Sequence, residues 1–406
     1  IIDRIKLNEQ LNQKLEDTVQ SIFKEWFVNF EFPDENGKPY KSNGGKMEYS
    51  QYLDKEVPLN SNIDTISELL EDTLGGDWGK DKKEGNYTMI LVTGGLGFIG
   101  SHIALSLLAQ GQEIVIVDNL ANSTLQTLER LEYISGMYIP FAKLDVRNTP
   151  ALNKVFEQYS IDAVIHTASF KSLEESVLKP LEYYNDNVSC IMSLLRAMQR
   201  TGVRTLVHLS SLAVYGESSL HLEEDLELNY GYPNPYIKSQ QMVEEIIRDT
   251  AKTDNEWKIA ILRMGNVAGA FENAMLGELF PPLPKNIIPL LMQVAAKQRD
   301  HIELRKSAQT TDHTVERSFL HILDACDAIA ASLQWLSTQQ FACEAFNIAG
   351  QSVSIQQLVE KVESVTQSDI ATVDVVDSNI VELDQVAAEC SKAKNVLHWE
   401  AKRSLE

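Results

Sequence analysis

The chain has 406 residues, 44 % of them hydrophobic, enough for two or three globular domains, and its formal net charge of −22 makes it unsuited to wrapping a nucleic acid backbone. Four cysteines (Cys190, Cys326, Cys343, Cys390) stand far apart without a C-x-x-C pair, which argues for a reduced, cytoplasmic protein and against a zinc site or disulfide framework. No apolar run approaches about 18 residues and the first residues are charged and amphipathic, so neither a membrane span nor a signal peptide is expected. In chain order, the first element is an amphipathic helix over 5–30, where Leu7, Leu11, Leu15, Val19, Ile22, Phe23 and Trp26 recur at helical spacing. It sets residues 1–33 apart. Residues 34–62 are polar and rich in turn pairs (Asn36-Gly37, Lys38-Pro39, Asn43-Gly44-Gly45) and read as a loop or linker. Residues 63–74 have the pattern of a short helix, which Gly75-Gly76-Asp77-Trp78-Gly79 then breaks, and 80–87 carry no apolar pattern, so the linker region extends over 34–88.

From Met89 the texture changes. Short apolar runs of strand length (89–93, 114–118, 163–166, 206–210, 259–263) alternate with helix-like segments (101–110, 149–159, 190–200, 241–250). Such alternation implies an α/β fold: a Rossmann-type, doubly wound parallel sheet covered by helices on both faces, over 89–265, with 266–406 forming mainly a smaller substrate-binding region. The chain opens on Ile1 without a methionine, and Met89 has the form of a start codon. The expectation is a fragment, or two reading frames joined end to end.

The first segment, through Leu11-Asn12-Gln13-Lys14-Leu15-Glu16, then Ile22 to Phe30 (Ile-Phe-Lys-Glu-Trp-Phe-Val-Asn-Phe) and Leu74-Gly75-Gly76-Asp77-Trp78-Gly79, resembles the specificity subunit of type I restriction enzymes. That resemblance implies a spacer helix and the opening of a DNA-reading domain cut short, so DNA recognition is not expected. A restriction–modification subunit docking on 5–30 is the partner it implies. The alternative is an amphipathic helix packing on whatever is available.

Directly after the first strand stands Thr93-Gly94-Gly95-Leu96-Gly97-Phe98-Ile99-Gly100, a G-x-x-G-x-x-G turn that opens a helix. Glycines allow a sharp turn and close approach of the main chain to a pyrophosphate, and the helix N-terminus offers N–H donors at its positive dipole end. Asp118 closes the next strand about 20 residues on, where a carboxylate receives the adenine ribose hydroxyls, so NAD is favoured over NADP. Asp145 ends a third strand-like run and has two readings, a place by the adenine or a cap on the following helix.

With these residues in hand, Met89 onward resembles the UDP-glucose 4-epimerase family of the extended short-chain dehydrogenase/reductases. Supporting stretches are Asp118-Asn119-Leu120-Ala121-Asn122-Ser123, Val164-Ile165-His166, Glu175-Ser176-Val177 and the run from Pro180 to Val188. The resemblance implies NAD held by Gly94, Gly97, Phe98, Ile99, Gly100, Asp118, Asn119, Asn122, Ser123, Asp145 and Val146, with Lys171 and Asn187 on the nicotinamide side. It also implies a UDP-sugar substrate, carbohydrate metabolism and a homodimer. Ser210-Ser211-Leu212-Ala213-Val214-Tyr215-Gly216 matches the family's serine motif, with Ser211 as relay, and Tyr236 in Asn234-Pro235-Tyr236 matches its base. Leu212 and Ala213 stand where sugar 4,6-dehydratases carry an Asp-Glu pair, which argues against elimination chemistry.

Four residues after Tyr236, on the same helix face, the family's lysine is replaced by Gln240. The lysine holds the nicotinamide ribose and, by its charge, lowers the tyrosine pKa; Gln240 can donate a hydrogen bond but brings no charge. Lys238 lies around 200° away on the helix. On the substrate side Asn266, Asn286 and Arg317 fall where the family contacts its nucleotide-sugar, whereas its late arginine and the aspartate before Ser391 are missing, and Thr167, Ser169 and Gly265 replace residues usual near the sugar. His166 and His321 read as structural. Three readings follow: a UDP-sugar 4-epimerase slowed by Gln240, a catalytically impaired NAD-binding protein of the same fold, and an interaction protein using its first helix.

Overall fold

A computed structural model describes Lys14, Thr18, residues 21–22, 24–34, 37–50, 55–59, 87–217, 219–271, 274–278, 286–308, 310–375 and 383–404. The chain divides into two compact units, Ile1–Asp81 and Lys82–Glu406. In the first, a π-helical turn (Lys24–Val28) precedes two antiparallel strands, β1 (Met47–Ser50) and β2 (Lys55–Pro58), with Met47 opposite Pro58. The stretch expected to be loop therefore contains a pair of strands. Only Ser50, Val57 and Pro58 of these strands are buried, so the apolar alternation that marks a strand in sequence is absent here. The helix expected over 5–30 falls mostly outside the described residues, and the one over 63–74 wholly outside them.

The second unit is built on seven parallel strands. β3 (Ile90–Thr93), β4 (Ile114–Asp118), β5 (Phe141–Lys143), β6 (Ala163–His166), β7 (Thr205–Ser211), β9 (Lys258–Met264) and β13 (Ala342–Ile348) lie in the order β13-β9-β7-β6-β3-β4-β5. β8 (Ser219–Leu222) leaves this sheet for another. Burial on both faces explains why these strands read as apolar runs rather than alternations. One face packs on α1 (Phe98–Ala109), α2 (Leu125–Ser135) and a later helix at Ile322–Ser337 around Ile90, Val92, Ile116, Leu262 and Phe346. The other packs on α3 (Thr149–Gln158), α4 (Ser189–Thr201) and α5 (Pro235–Ala251) around Leu91, Val117, Val164, Leu206 and Ile259. The order reverses between β3 and β6, and the crevice at such a switch point is where a ligand enters an open sheet.

Downstream, β10 (Asn266–Ala268), β12 (Glu316–His321), β16 (Gln385–Ala388) and β8 form a second sheet, with β14 (Ser352–Ser354) also paired to β12, and β11 (Ile302–Arg305) pairs with β15 (Thr372–Val375). The helices α6 (Ile287–Ala295) and α8 (Ile355–Thr366) pack over β11 and β12 through Leu291, Val294, Leu304 and Phe319; α7 is the helix at Ile322–Ser337. β13 and α7 belong to the nucleotide-binding layers although they lie beyond residue 265, because β13 pairs along its whole length with β9, Ala342 opposite Lys258 through Ile348 opposite Met264. A central sheet needs its open edge covered, and sequence distance does not limit which strand covers it.

Candidate active site

The turn after β3 has the shape its glycines imply. Gly94 has φ +69°, and a Cβ there would come within 2.8 Å of the Ala168 main-chain nitrogen. A Cβ on Gly100 would overlap the Gly94 carbonyl oxygen. Gly97 is the N-cap of α1, and no side chain among the described residues caps that helix, so the N–H groups at Phe98, Ile99 and Gly100 face outward from the first turn without a substitute acceptor. This is the donor set a pyrophosphate takes. Asp118, buried at the end of β4, is held on three sides: one carboxylate oxygen accepts from Leu120 N–H (2.8 Å) and the Ser123 hydroxyl (2.7 Å), the other from Leu96 N–H (3.1 Å). It thereby fixes the glycine turn to the loop bearing exposed Asn119 and Asn122.

Asp145 lies two residues beyond β5. Arg147 donates to it through its main-chain N–H, Nε and Nη2 (2.9, 2.9 and 2.6 Å), and Asn119 Nδ2 adds a weaker bond at 3.4 Å. These hydrogen bonds from Arg147 hold the carboxyl down to about 2. The helix-cap reading of Asp145 is corrected: Asn148 caps α3, its side chain accepting from Ala151 N–H. Val146 beside it is buried. Asn187 is buried and spent within the protein. Its Oδ1 accepts from Phe170 N–H (2.8 Å), and its Nδ2 donates to the Phe170 carbonyl (3.1 Å) and the Ser239 hydroxyl (2.9 Å). It pins the loop before Lys171 to α5 rather than presenting its amide to a ligand.

Tyr236, Ser211 and Gln240 converge at the carboxyl end of the sheet. Asn234 N-caps α5, accepting from Tyr236 and Ile237 N–H, and Pro235 takes the first helical position, where its missing N–H costs nothing. Tyr236 is buried, with the Ser211 side chain nearby; burial raises its pKa and the Ser211 hydroxyl offsets this only in part. Its ring packs edge-on against Tyr183 at 6.3 Å between centroids. Ser211 in turn accepts from Ala213 N–H. Gln240 is 2 % exposed, and its Oε1 is buried without a hydrogen-bond partner among the described residues. A buried acceptor left open beside a buried tyrosine is the mark of a missing donor, and a ribose hydroxyl fits it. The glycine cradle and this acceptor together fit NAD.

Lys171 is half exposed and pairs with Glu278 (3.6 Å), which also accepts from Asn286 Nδ2. Lys171 and Asn286 are thus joined through one carboxylate. Asn266 is exposed on β10, opposite Phe319 of β12, and Arg317 is buried on β12 with Nη1 donating to the Glu316 carbonyl (2.8 Å). Arg317 is therefore no surface residue. His166 is hydrogen-bonded to the Thr93 hydroxyl (2.7 Å) and stacked on His208, and burial lowers its pKa to about 3, so it is neutral packing at pH 7. His321 caps α7.

Residues 90–349 match the NAD dependent epimerase/dehydratase family. UDP-glucose 4-epimerase 2 of Arabidopsis thaliana is 36 % identical over 323 residues, 78 % of this chain and 91 % of that protein. The UDP-glucose 4-epimerase of Bacillus subtilis (strain 168) is 36 % identical over 320 residues, 78 % of this chain and 93 % of that protein. The chain belongs to the UDP-glucose 4-epimerase family. A solved structure of the Stenotrophomonas maltophila UDP-glucose-4-epimerase, with bound NAD and formylated UDP-arabinopyranose, matches with a TM-score of 0.74 at 34 % identity, over 78 % of this chain and 94 % of that one. In this epimerase-family chain, sequence reasoning missed Ser210, Glu244 and Arg263, a buried polar cluster next to Ser211. The available signals were charges where the pattern calls for apolar residues: Arg263 closes a strand-length apolar run, and Glu244 follows Gln240 by one helical turn.

Proposed function

We propose that this chain interconverts a UDP-sugar of the glucose/galactose type with its C4 epimer through a transient 4-keto sugar. NAD, when bound, supplies the hydride acceptor and returns the hydride. Tyr236, deprotonated, receives the C4 hydroxyl proton, and the nearby Ser211 hydroxyl relays it and orients the substrate hydroxyl. Gln240 holds the nicotinamide ribose through its side-chain amide. The turn at Gly94, Gly97, Phe98, Ile99 and Gly100 holds the pyrophosphate, Asp118 with Asn119, Asn122 and Ser123 the adenine ribose, and Asp145 and Val146 the adenine edge. Lys171 lies toward the nicotinamide, with Asn187 behind it as the pin of its loop. Asn266, Asn286 and Arg317 grip the nucleotide of the substrate. The observation that carries the reading is the buried Tyr236, with Ser211 nearby, one helical turn from the open buried acceptor of Gln240.

Purified protein given UDP-galactose should form UDP-glucose, and denaturing it should release about one NAD per chain. Absence of NAD overturns the reading. NAD without turnover favours a second one, an impaired NAD-binding protein, for which the uncharged Gln240 and the raised Tyr236 pKa both speak. The proposal includes assembly of two copies, for which exposed Val177, Leu178 and Leu181 offer apolar surface, and action in the cytoplasm, in keeping with four free cysteines. It also includes docking of a restriction–modification subunit on residues 5–30, tested by pull-down before and after deleting 1–88. Among the described residues no helix is long and apolar enough to cross a membrane.

A further inference from the structure

Across the carboxyl ends of three adjacent strands runs a polar row: Ser210 of β7 stands opposite Arg263 of β9, and Arg263 opposite Asn347 of β13. The row is centred on a carboxylate from the helix above it. Glu244, fully buried on α5, accepts at one oxygen from the Ser210 hydroxyl (2.7 Å) and Arg263 Nε (3.1 Å), and at the other from Arg263 Nη2 (2.8 Å) and Arg248 Nη2 (2.9 Å). Arg263 is itself buried, with its guanidinium carbon 4.7 Å from the centre of the Tyr215 ring. Tyr215 ends the 3-10 turn that starts at Leu212, and its hydroxyl donates to Asn347 Oδ1 (2.7 Å). Asn347 Nδ2 then donates to the carbonyls of Leu222 (2.9 Å), the last residue of β8, and Glu389 (3.2 Å), the residue after β16.

Resting on the epimerase reading above, we infer that Glu244 and Arg263 are positioning residues for it: their bridged pair fixes the Ser211 end of β7 against the face of α5 that carries Tyr236 and Gln240. Ser211 is the next residue on the strand after Ser210. Glu244 lies eight residues, or roughly 12 Å of rise, along the helix from Tyr236 and one turn from Gln240. A helix anchored by one saturated carboxylate can neither slide nor rotate without breaking charge-assisted bonds, so the anchor sets where the tyrosine hydroxyl meets the serine. Stability alone is a weak reason for such a pair, since apolar residues of similar volume often replace a buried ion pair without loss. Pre-organisation is the stronger reason, because misplacing a catalytic group by about 1 Å costs on the order of a hundredfold in rate.

The test uses the full chain, as found and with Gln240→Lys, carrying either Glu244→Leu with Arg263→Met or Ser210→Ala alone. The expected result in both is unchanged NAD content and a UDP-galactose KM within about threefold, with kcat down roughly tenfold to a hundredfold. A kcat within twofold of the parent overturns the inference; if the double variant fails to fold, Ser210→Ala, which leaves the ion pair intact, decides. Should neither parent turn over, the epimerase reading fails by itself and positioning is read spectroscopically. Tyrosinate absorbance against pH, with the Tyr236→Phe trace subtracted, should move to higher pH on Ser210→Ala as Ser211 drifts from Tyr236. An unmoved midpoint then overturns the inference.

Discussion

Gln240→Lys restores a charge that the surroundings of Tyr236 lack. Burial raises the Tyr236 pKa above the ordinary tyrosine value of about 10, and the nearby Ser211 hydroxyl offsets this only partly. At neutral pH the tyrosinate that would accept the substrate proton is therefore a minor form. A cation within about 4–6 Å favours the charged form, making tyrosinate roughly ten to a thousand times more abundant at neutral pH. Position 240 is one helical turn from position 236, within that reach, and is 2 % exposed, so water screens the new charge little. Because the active form is the deprotonated one, kcat/KM rises with pH until Tyr236 has titrated, and the lysine moves that rise to lower pH. The same burial makes the new ammonium costly before cofactor binds, so the NAD-free variant should melt lower than its parent and recover most of the loss when NAD is added. The assay is kcat/KM for UDP-galactose between pH 6 and about 10, with Tyr236→Phe as the blank in each background. Superimposable pH–rate profiles for the parent and the Gln240→Lys variant would refute the reasoning, because the charge at this position would then not govern the base.

Gly100→Ala puts a methyl group into the Gly94 carbonyl and should abolish NAD retention while lowering stability by about 1–3 kcal/mol; a variant that keeps one NAD per chain contradicts the cradle. Asn187→Leu strips Phe170 N–H, the Phe170 carbonyl and the Ser239 hydroxyl of a partner at once, and urea unfolding should report a loss of about 2–5 kcal/mol. Asp145 has a pKa depressed to about 2 by Arg147, so its pairing contributes stability above the ordinary carboxylate range of about 4, and that contribution is lost as pH falls toward 2. The Tm gap between the parent and Asp145→Asn should accordingly be flat from pH 5 to about 7 and close on acidification; a gap that widens as pH falls has the wrong sign.

Much of this site can be read in one dimension because its chemistry is local. The glycine turn, the Asp118 that closes the next strand and the Pro-Tyr start of α5 are short patterns whose spacing alone gives their geometry. Parallel strands buried on both faces stand out as apolar runs, which made five of the seven central strands visible, and a further strand-like run ending at Asp145 marked β5. β13 was overlooked because its pairing with β9 spans about eighty residues, a contact no local window contains. β1 and β2 were overlooked because they bury so few side chains.

By itself the sequence determined which backbone turns can open toward a phosphate, which side chains are available as base and relay, and that position 240 brings no charge. These depend on residue type and on spacing within a turn or two. Tertiary structure decided where those groups are held. It spent Asn187 on pinning a loop, gave the α3 cap to Asn148 and not Asp145, and drew Ser210, Glu244 and Arg263 from two strands and a helix to a single buried point. A hydrogen bond is satisfied by whichever group the fold brings within about 3 Å, and that partner can come from anywhere along the chain.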